Sequence, residues 1–120
     1  MNIRALHISQ ILSLKLHSGH LKNVDTLYLA GGGARNSVLR QLIADVFEVK
    51  VCMIENTEYA APFGCAISGA KEILGISYEE AAGRFIQTDQ SSTVSPGGES
   101  RPKIKSLLKR YAELEEKVTV

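Results

Sequence analysis

Three consecutive glycines, Gly31-Gly32-Gly33, restrict this chain more than any other stretch, because of what flanks them. Before them, Thr26 to Ala30 is a short apolar run rich in strand formers, which reads as a buried strand. After them, Val38, Leu39, Leu42, Ile43, Val46 and Phe47 recur at helical spacing and give one apolar face through the end of that helix. The glycines therefore sit at a strand-to-helix turn. Glycine there permits positive φ and, having no Cβ, lets the backbone come close to a ligand. The first N–H groups of the following helix and the positive end of its dipole converge on the same spot, which makes an anion site. A tight turn that needs glycine for geometry alone accounts for the same residues. The glycines by themselves leave both readings open.

The flanking segments complete an α/β pattern. Glu48 ends the central helix, and Val49 to Ile54 form a second strand. Strand, helix and strand in so few residues predict a right-handed parallel crossover. Glu55-Asn56-Thr57-Glu58 is then a polar loop at the carboxyl end of the second strand. Ligands of open α/β sheets bind at that edge, and the glycine turn lies on it too. Met1 to His17 is helical, with Ile3, Leu6, Ile11, Leu12 and Leu14 as its apolar positions and Gly19 as the stop. Tyr59 to Ala70 is crowded with small residues; Pro62 suits a helix first turn and Gly75 its C-terminal end. Gly64, Ala66, Gly69 and Ala70 are expected to let this helix press close to a neighbour. Ser77-Tyr78-Glu79-Glu80 is a capping box that opens a short helix through Arg84. Thr88 to Ser100 is polar, lacks periodicity and contains Pro96, Gly97 and Gly98, so it reads as a loop. A last amphipathic helix carries Ile104, Leu107, Leu108, Tyr111 and Leu114 on one face.

Several function classes fall away. With 120 residues the chain suffices for one small domain, and a net charge of +1 gives no case for nucleic acid or an anionic membrane. The Lys103, Lys105, Lys109 and Arg110 face is followed by Glu113, Glu115 and Glu116, and mixed charge of this kind is an ordinary solvated face. No 18-residue apolar run and no signal-peptide pattern occur. Cys52 and Cys65 have no close-spaced partner, which fits reduced thiols and a cytoplasmic setting. His17 and His20 lack a third ligand at a sensible spacing, so surface histidines are expected and no metal site.

Two phosphate-binding patterns can be tested against the glycines. A Walker A loop needs Gly-Lys-Ser/Thr at its end, where this chain has Ala34-Arg35-Asn36, so that reading fails. A dinucleotide fingerprint takes Gly31 and Gly33, and Glu55 stands where its acidic residue belongs, but Asn36 replaces the third glycine. A small dinucleotide-binding α/β module using Gly31, Gly33 and Glu55 therefore stays open, as does a structural piece that binds nothing.

Three linked motifs go further. Gly31-Gly32-Gly33-Ala34-Arg35-Asn36, then Arg40-Gln41-Leu42-Ile43-Ala44-Asp45, then Glu58-Tyr59-Ala60-Ala61 with Gly64-Cys65-Ala66, resemble the C-terminal part of the FGGY carbohydrate kinases. Within that family the spacing and the last helix look most like the xylulokinases. The resemblance implies an actin-like, ribonuclease-H-like ATPase fold, here a βαβα core with flanking N- and C-terminal helices. It implies that residues 1–120 form one unit, the C-terminal half of the second, nucleotide-binding domain. ATP or ADP with Mg²⁺ would be the cofactors, and a pentulose such as xylulose the sugar of the intact protein. Gly31, Gly32 and Gly33 would contact phosphate and ribose, and Asn36 the adenine, which a carboxamide suits by donating and accepting together. Gln41 and Asp45 match family positions and read as mainly structural. Pro62 departs from the family's usual leucine. The sugar site and the family's aspartate base belong to segments before these residues. None of Asp25, Asp45, Glu55 or Glu58 has a motif-based claim to be a base. The expected sheet has two strands and an unpaired edge, so the chain alone is expected to be inactive and to need the rest of the kinase or self-association.

Overall fold

The computed structural model describes residues 2–118. Strand β1 (Thr26–Leu29) leads through the glycine turn to helix α2 (Ser37–Phe47) and strand β2 (Lys50–Ile54), with helix α1 (Ile3–His17) before them. β1 and β2 are parallel, with Thr26 opposite Lys50 and Leu29 opposite Met53, as a strand–helix–strand crossover requires. Helices α3 (Ala60–Leu74) and α4 (Tyr78–Phe85) follow, then strand β3 (Thr88–Val94) and helix α5 (Arg101–Val118).

β3 corrects the reading of residues 88–100 as a loop. The sheet has three strands in the order β1-β2-β3, and β3 runs antiparallel to β2. Its register shifts between Val51 and Met53, where a bulge breaks the ladder. Ser92 repairs the break: its hydroxyl accepts from the Met53 N–H at 2.9 Å and donates to the Asp89 carbonyl at 2.6 Å. A buried serine in a strand is thereby satisfied rather than orphaned.

Most of the core lies on one side. Ile11 and Leu12 of α1 and Val46 of α2 are buried, ringed by Leu39, Leu42 and Ile43 of α2 and Ile104, Leu107 and Tyr111 of α5. The helical patterns are right, but their ends are less buried than the spacing implies. Ile3, Leu14 and Leu114 are exposed, and Val38, expected on the α2 apolar face, is 71% exposed. Gln41 and Asp45 hold the segment between β3 and α5. The Gln41 amide donates to the Ser95 carbonyl at 2.9 Å, and the Gly97 N–H donates to Asp45 Oδ1 at 2.7 Å. Arg101 at the start of α5 pairs with Glu48 at 2.9 Å.

Helix ends follow local chemistry. Glu48 (φ 58°) and Gly75 (φ 65°) close α2 and α3 in the left-handed region. Ser77 caps α4 through the Glu80 N–H, while the Glu80 carboxylate turns to Arg84 at 2.7 Å, so half of the capping box forms. The small residues of α3 are a second correction. Ala70 is buried, but Gly64 and Ala66 are exposed, and a Cβ on Gly64 or Gly69 would meet nothing within 4 Å. Among the described residues α3 packs chiefly on α4 and barely reaches the sheet, so Ala70 fits the expected close packing while Gly64, Ala66 and Gly69 press on nothing here.

Candidate functional site

The chain leaves β1 through Ala30 into Gly31, whose φ of 89° and ψ of 175° no side-chain-bearing residue adopts without strain. Gly32 to Arg35 then make a 3₁₀ turn before α2 begins. The glycines thus stand at a strand-to-helix turn, as the spacing predicts, with a 3₁₀ segment before the helix. Asn36 stands between, and its Oδ1 accepts from the Val38 and Leu39 N–H groups at 3.0 and 3.2 Å. The dipole end of α2 is thus capped by a side chain. The donors left at the turn are the Gly32 and Gly33 N–H groups, which find no acceptor among the described residues. Both glycines are exposed. A Cβ on Gly32 would meet nothing within 4 Å, and one on Gly33 would lie 3.5 Å from a Leu39 methyl.

A second loop braces the turn. Asn56 takes a left-handed conformation (φ 49°) and brings Thr57 to Gly31. The Gly31 N–H donates to the Thr57 carbonyl at 3.0 Å, and the Thr57 hydroxyl donates back to the Gly31 carbonyl at 3.0 Å. That carbonyl also accepts from the Ala34 N–H at 3.1 Å. Further along, Arg40 donates from Nη1 to the Ala34 carbonyl at 2.6 Å, while its buried Nε has no partner. On the outside Arg35 pairs with Glu58 at 2.6 Å. The Glu58 carboxyl is held below its ordinary range, first by its own backbone N–H and then, against some desolvation, by the Arg35 charge.

The expected site residues therefore divide. Gly31, Gly32, Gly33 and Asn36 lie together on the carboxyl-end edge of the sheet, with Glu55 and Glu58 on the same edge. Asn36 cannot act quite as its carboxamide suggests, because its oxygen already accepts two backbone bonds; its amide protons remain available. Asp45 is taken up by Gly97 and Gln41, and His17 pairs with Glu115 at 3.1 Å. No group of three or more His, Cys, Asp or Glu among the described residues could hold a metal ion. Thr57 and Arg40 were not expected at the site. Thr57 had a signal, its place in the polar loop after β2; Arg40 stood in the second motif but with no role given to it, since a cation on a helix ordinarily faces water. Beside Asn36 a groove of about 710 Å³ opens between α1, α2 and α5, with Leu39, Leu42 and Ile104 on its walls and Arg4 and Lys103 as its cations. No helix is long and apolar enough to cross a membrane among the described residues.

Comparison with known proteins shows the family and the fold. Residues 2–73 match the C-terminal domain of the FGGY family of carbohydrate kinases. The chain is 32% identical over 124 aligned positions to the xylulose kinase of Rattus norvegicus, covering 98% of the chain and 23% of that protein. It is 28% identical to the xylulose kinase of Bacillus subtilis, covering 85% of the chain and 20% of that protein. It thus spans less than a quarter of the length of these relatives. Its fold superimposes on a ligand-bound xylulose kinase from Lactobacillus acidophilus with a TM-score of 0.68 at 22% identity, over 92% of this chain and 23% of that one. On a gluconate kinase from the same organism the TM-score is 0.71 at 22% identity, over 96% of this chain and 24% of that one.

Proposed function

Because the chain belongs to the FGGY family of carbohydrate kinases and carries the actin-like ATPase fold of its C-terminal domain, we propose that residues 1–120 are the C-terminal half of a nucleotide-binding domain whose glycine turn takes the phosphates of ATP or ADP. The observation that carries this reading is the pair of unengaged N–H groups at Gly32 and Gly33, on a turn with room for a ligand to approach. Backbone donors fixed beforehand and free of competing acceptors suit a phosphate oxygen, because none must reorganise when the anion arrives. Gly31 sets the turn, Gly32 and Gly33 donate to phosphate, and Asn36 offers amide protons to an acceptor nitrogen of the adenine.

Phosphoryl transfer from ATP to a sugar hydroxyl, a xylulose-like pentulose by the company the chain keeps, is proposed for the intact protein. It needs bound and polarised phosphates and a group that orients the hydroxyl. This chain supplies a phosphate contact and no candidate base. The family resemblance implies Mg²⁺, but among the described residues no group of three or more His, Cys, Asp or Glu could hold a metal ion, so no step is routed through the metal here. The isolated chain is expected to bind nucleotide without turning over sugar, and a cytoplasmic setting is proposed with it.

The test is a thermal-shift titration of the full chain with ADP and with NAD, repeated on Gly32→Val. The Gly32 position has open space and no positive φ, so a valine there leaves the fold standing and obstructs only a ligand. A shift with ADP, none with NAD, and loss of the ADP shift in the variant is the expected result. A response to NAD alone favours the dinucleotide module, in which Glu55 would take the ribose. Equal ADP responses in variant and wild type remove the glycine turn from the site.

A further inference from the structure

We propose that Thr57 is the positioning residue of the glycine turn: its hydroxyl holds the Gly31 carbonyl inward and so aims the Gly32 N–H at the phosphate. The inference rests on the nucleotide reading above and adds the residue that makes the turn competent. Thr57 is 2% exposed and holds Gly31 from both sides, with the Gly31 N–H donating to its carbonyl, which also accepts from the Ala60 N–H, and its Oγ1 donating to the Gly31 carbonyl, each bond to Gly31 at 3.0 Å. A trans peptide is planar and sets its N–H opposite its C=O. A Gly31 carbonyl drawn toward the buried Thr57 therefore turns the Gly32 N–H away from the interior, to the exposed side of the turn. The Gly31-Gly32 peptide is flanked by two glycines and meets little steric resistance to rotation. If it flips, a carbonyl oxygen stands where the phosphate would bind, and acceptor faces acceptor. The Ala34 N–H also holds the Gly31 carbonyl, at 3.1 Å, but it belongs to the same turn and moves with it. Thr57 is anchored outside the turn, on the loop after β2, behind the left-handed Asn56.

The decisive comparison is Thr57→Val, which keeps the shape and the backbone acceptor but removes the hydroxyl, against Thr57→Ser, which keeps the hydroxyl. Calorimetric binding of ADP and of adenosine to the full chain is the first readout. The expected result is an ADP Kd raised by about tenfold in Thr57→Val and within about twofold of wild type in Thr57→Ser, with adenosine binding equal in all three. Loss of ADP and adenosine together would indicate a merely structural role and overturn the inference. An unchanged ADP Kd in Thr57→Val would overturn it as well. Gly32→Val separates the two levels: if it loses ADP while Thr57→Val does not, this inference fails and the nucleotide reading stands. If neither loses ADP, both fail. Backbone amide exchange in the ligand-free chain needs no nucleotide. Thr57→Val should speed exchange at Gly31 and Ala34, and unchanged rates would count against the proposal. Should Thr57→Val fail to fold, Thr57→Ala takes its place; failure of both while Thr57→Ser folds would assign Thr57 to the core alone.

Discussion

Asn36 shows how one side chain limits another's role. Its carboxamide looks suited to adenine, yet its oxygen caps α2 through Val38 and Leu39. Two substitutions separate the roles. Asn36→Ser preserves a capping oxygen and removes the amide donor, so stability should hold while ADP affinity falls. Asn36→Leu removes both, and unfolding should show a loss of about 0.5–2 kcal/mol, the usual cost of a missing cap. Equal ADP affinity in Asn36→Ser and wild type would confine Asn36 to capping. Glu58 carries a second expectation at this scale. Its carboxyl titrates below the ordinary range in the folded chain, so it adds stability that is present above the unfolded-state value and is lost as pH falls through the folded one. Glu58→Gln should flatten that acid limb in a series of denaturant melts at stepped pH; an unaltered limb would mean that neither the backbone N–H of Glu58 nor the exposed Arg35 pair contributes stability through this carboxylate.

Among the elements, the contrast between β2 and β3 explains what the sequence disclosed. Within Lys50–Ile54 the run Val51-Cys52-Met53-Ile54 is apolar and ends at a polar loop, and the strand was legible because burial on both faces leaves such a continuous apolar run. Thr88–Val94 is strand with the sequence TDQSSTV, almost wholly polar. It lies at the sheet edge, and its bulge interrupts the alternation by which a half-buried strand is recognised. Only the long-range partner of Ser92, the Met53 N–H, gives that serine its meaning, and no local pattern encodes a partner 39 residues away. The glycine turn was legible as a turn because Gly31 needs its positive φ. The 3₁₀ segment after it was not, since four residues between a turn and a helix carry no periodicity of their own. Ser92→Ala should cost about 1–3 kcal/mol in denaturant unfolding, because it strands a buried backbone donor. A smaller loss would show that water replaces the hydroxyl at the bulge.

At the scale of the whole molecule, surface is in excess. The radius of gyration is 16.7 Å, against about 14 Å for a compact domain of this length. The accessible surface is 8430 Å², about 2000 Å² beyond the roughly 6400 Å² expected for its mass. Tyr28, Ile73 and Leu74 are among the large apolar side chains left open, and β1 pairs on one edge only. Three strands instead of two ease the marginal sheet but leave β1 unprotected. The isolated chain should associate with rising concentration in light scattering, and Tyr28→Lys should reduce that association. A monomer at every concentration, with one sharp unfolding transition, would contradict this. The Glu55 N–H donates to the Gln87 carbonyl at 2.8 Å, at the two ends of the excursion that carries α3 and α4. That excursion leaves and re-enters the sheet across a single hydrogen bond, and α3 leans chiefly on α4. It is therefore a cassette in the topological sense. Its length can change without re-threading the sheet, provided the piece still begins by delivering a hydroxyl beneath Gly31.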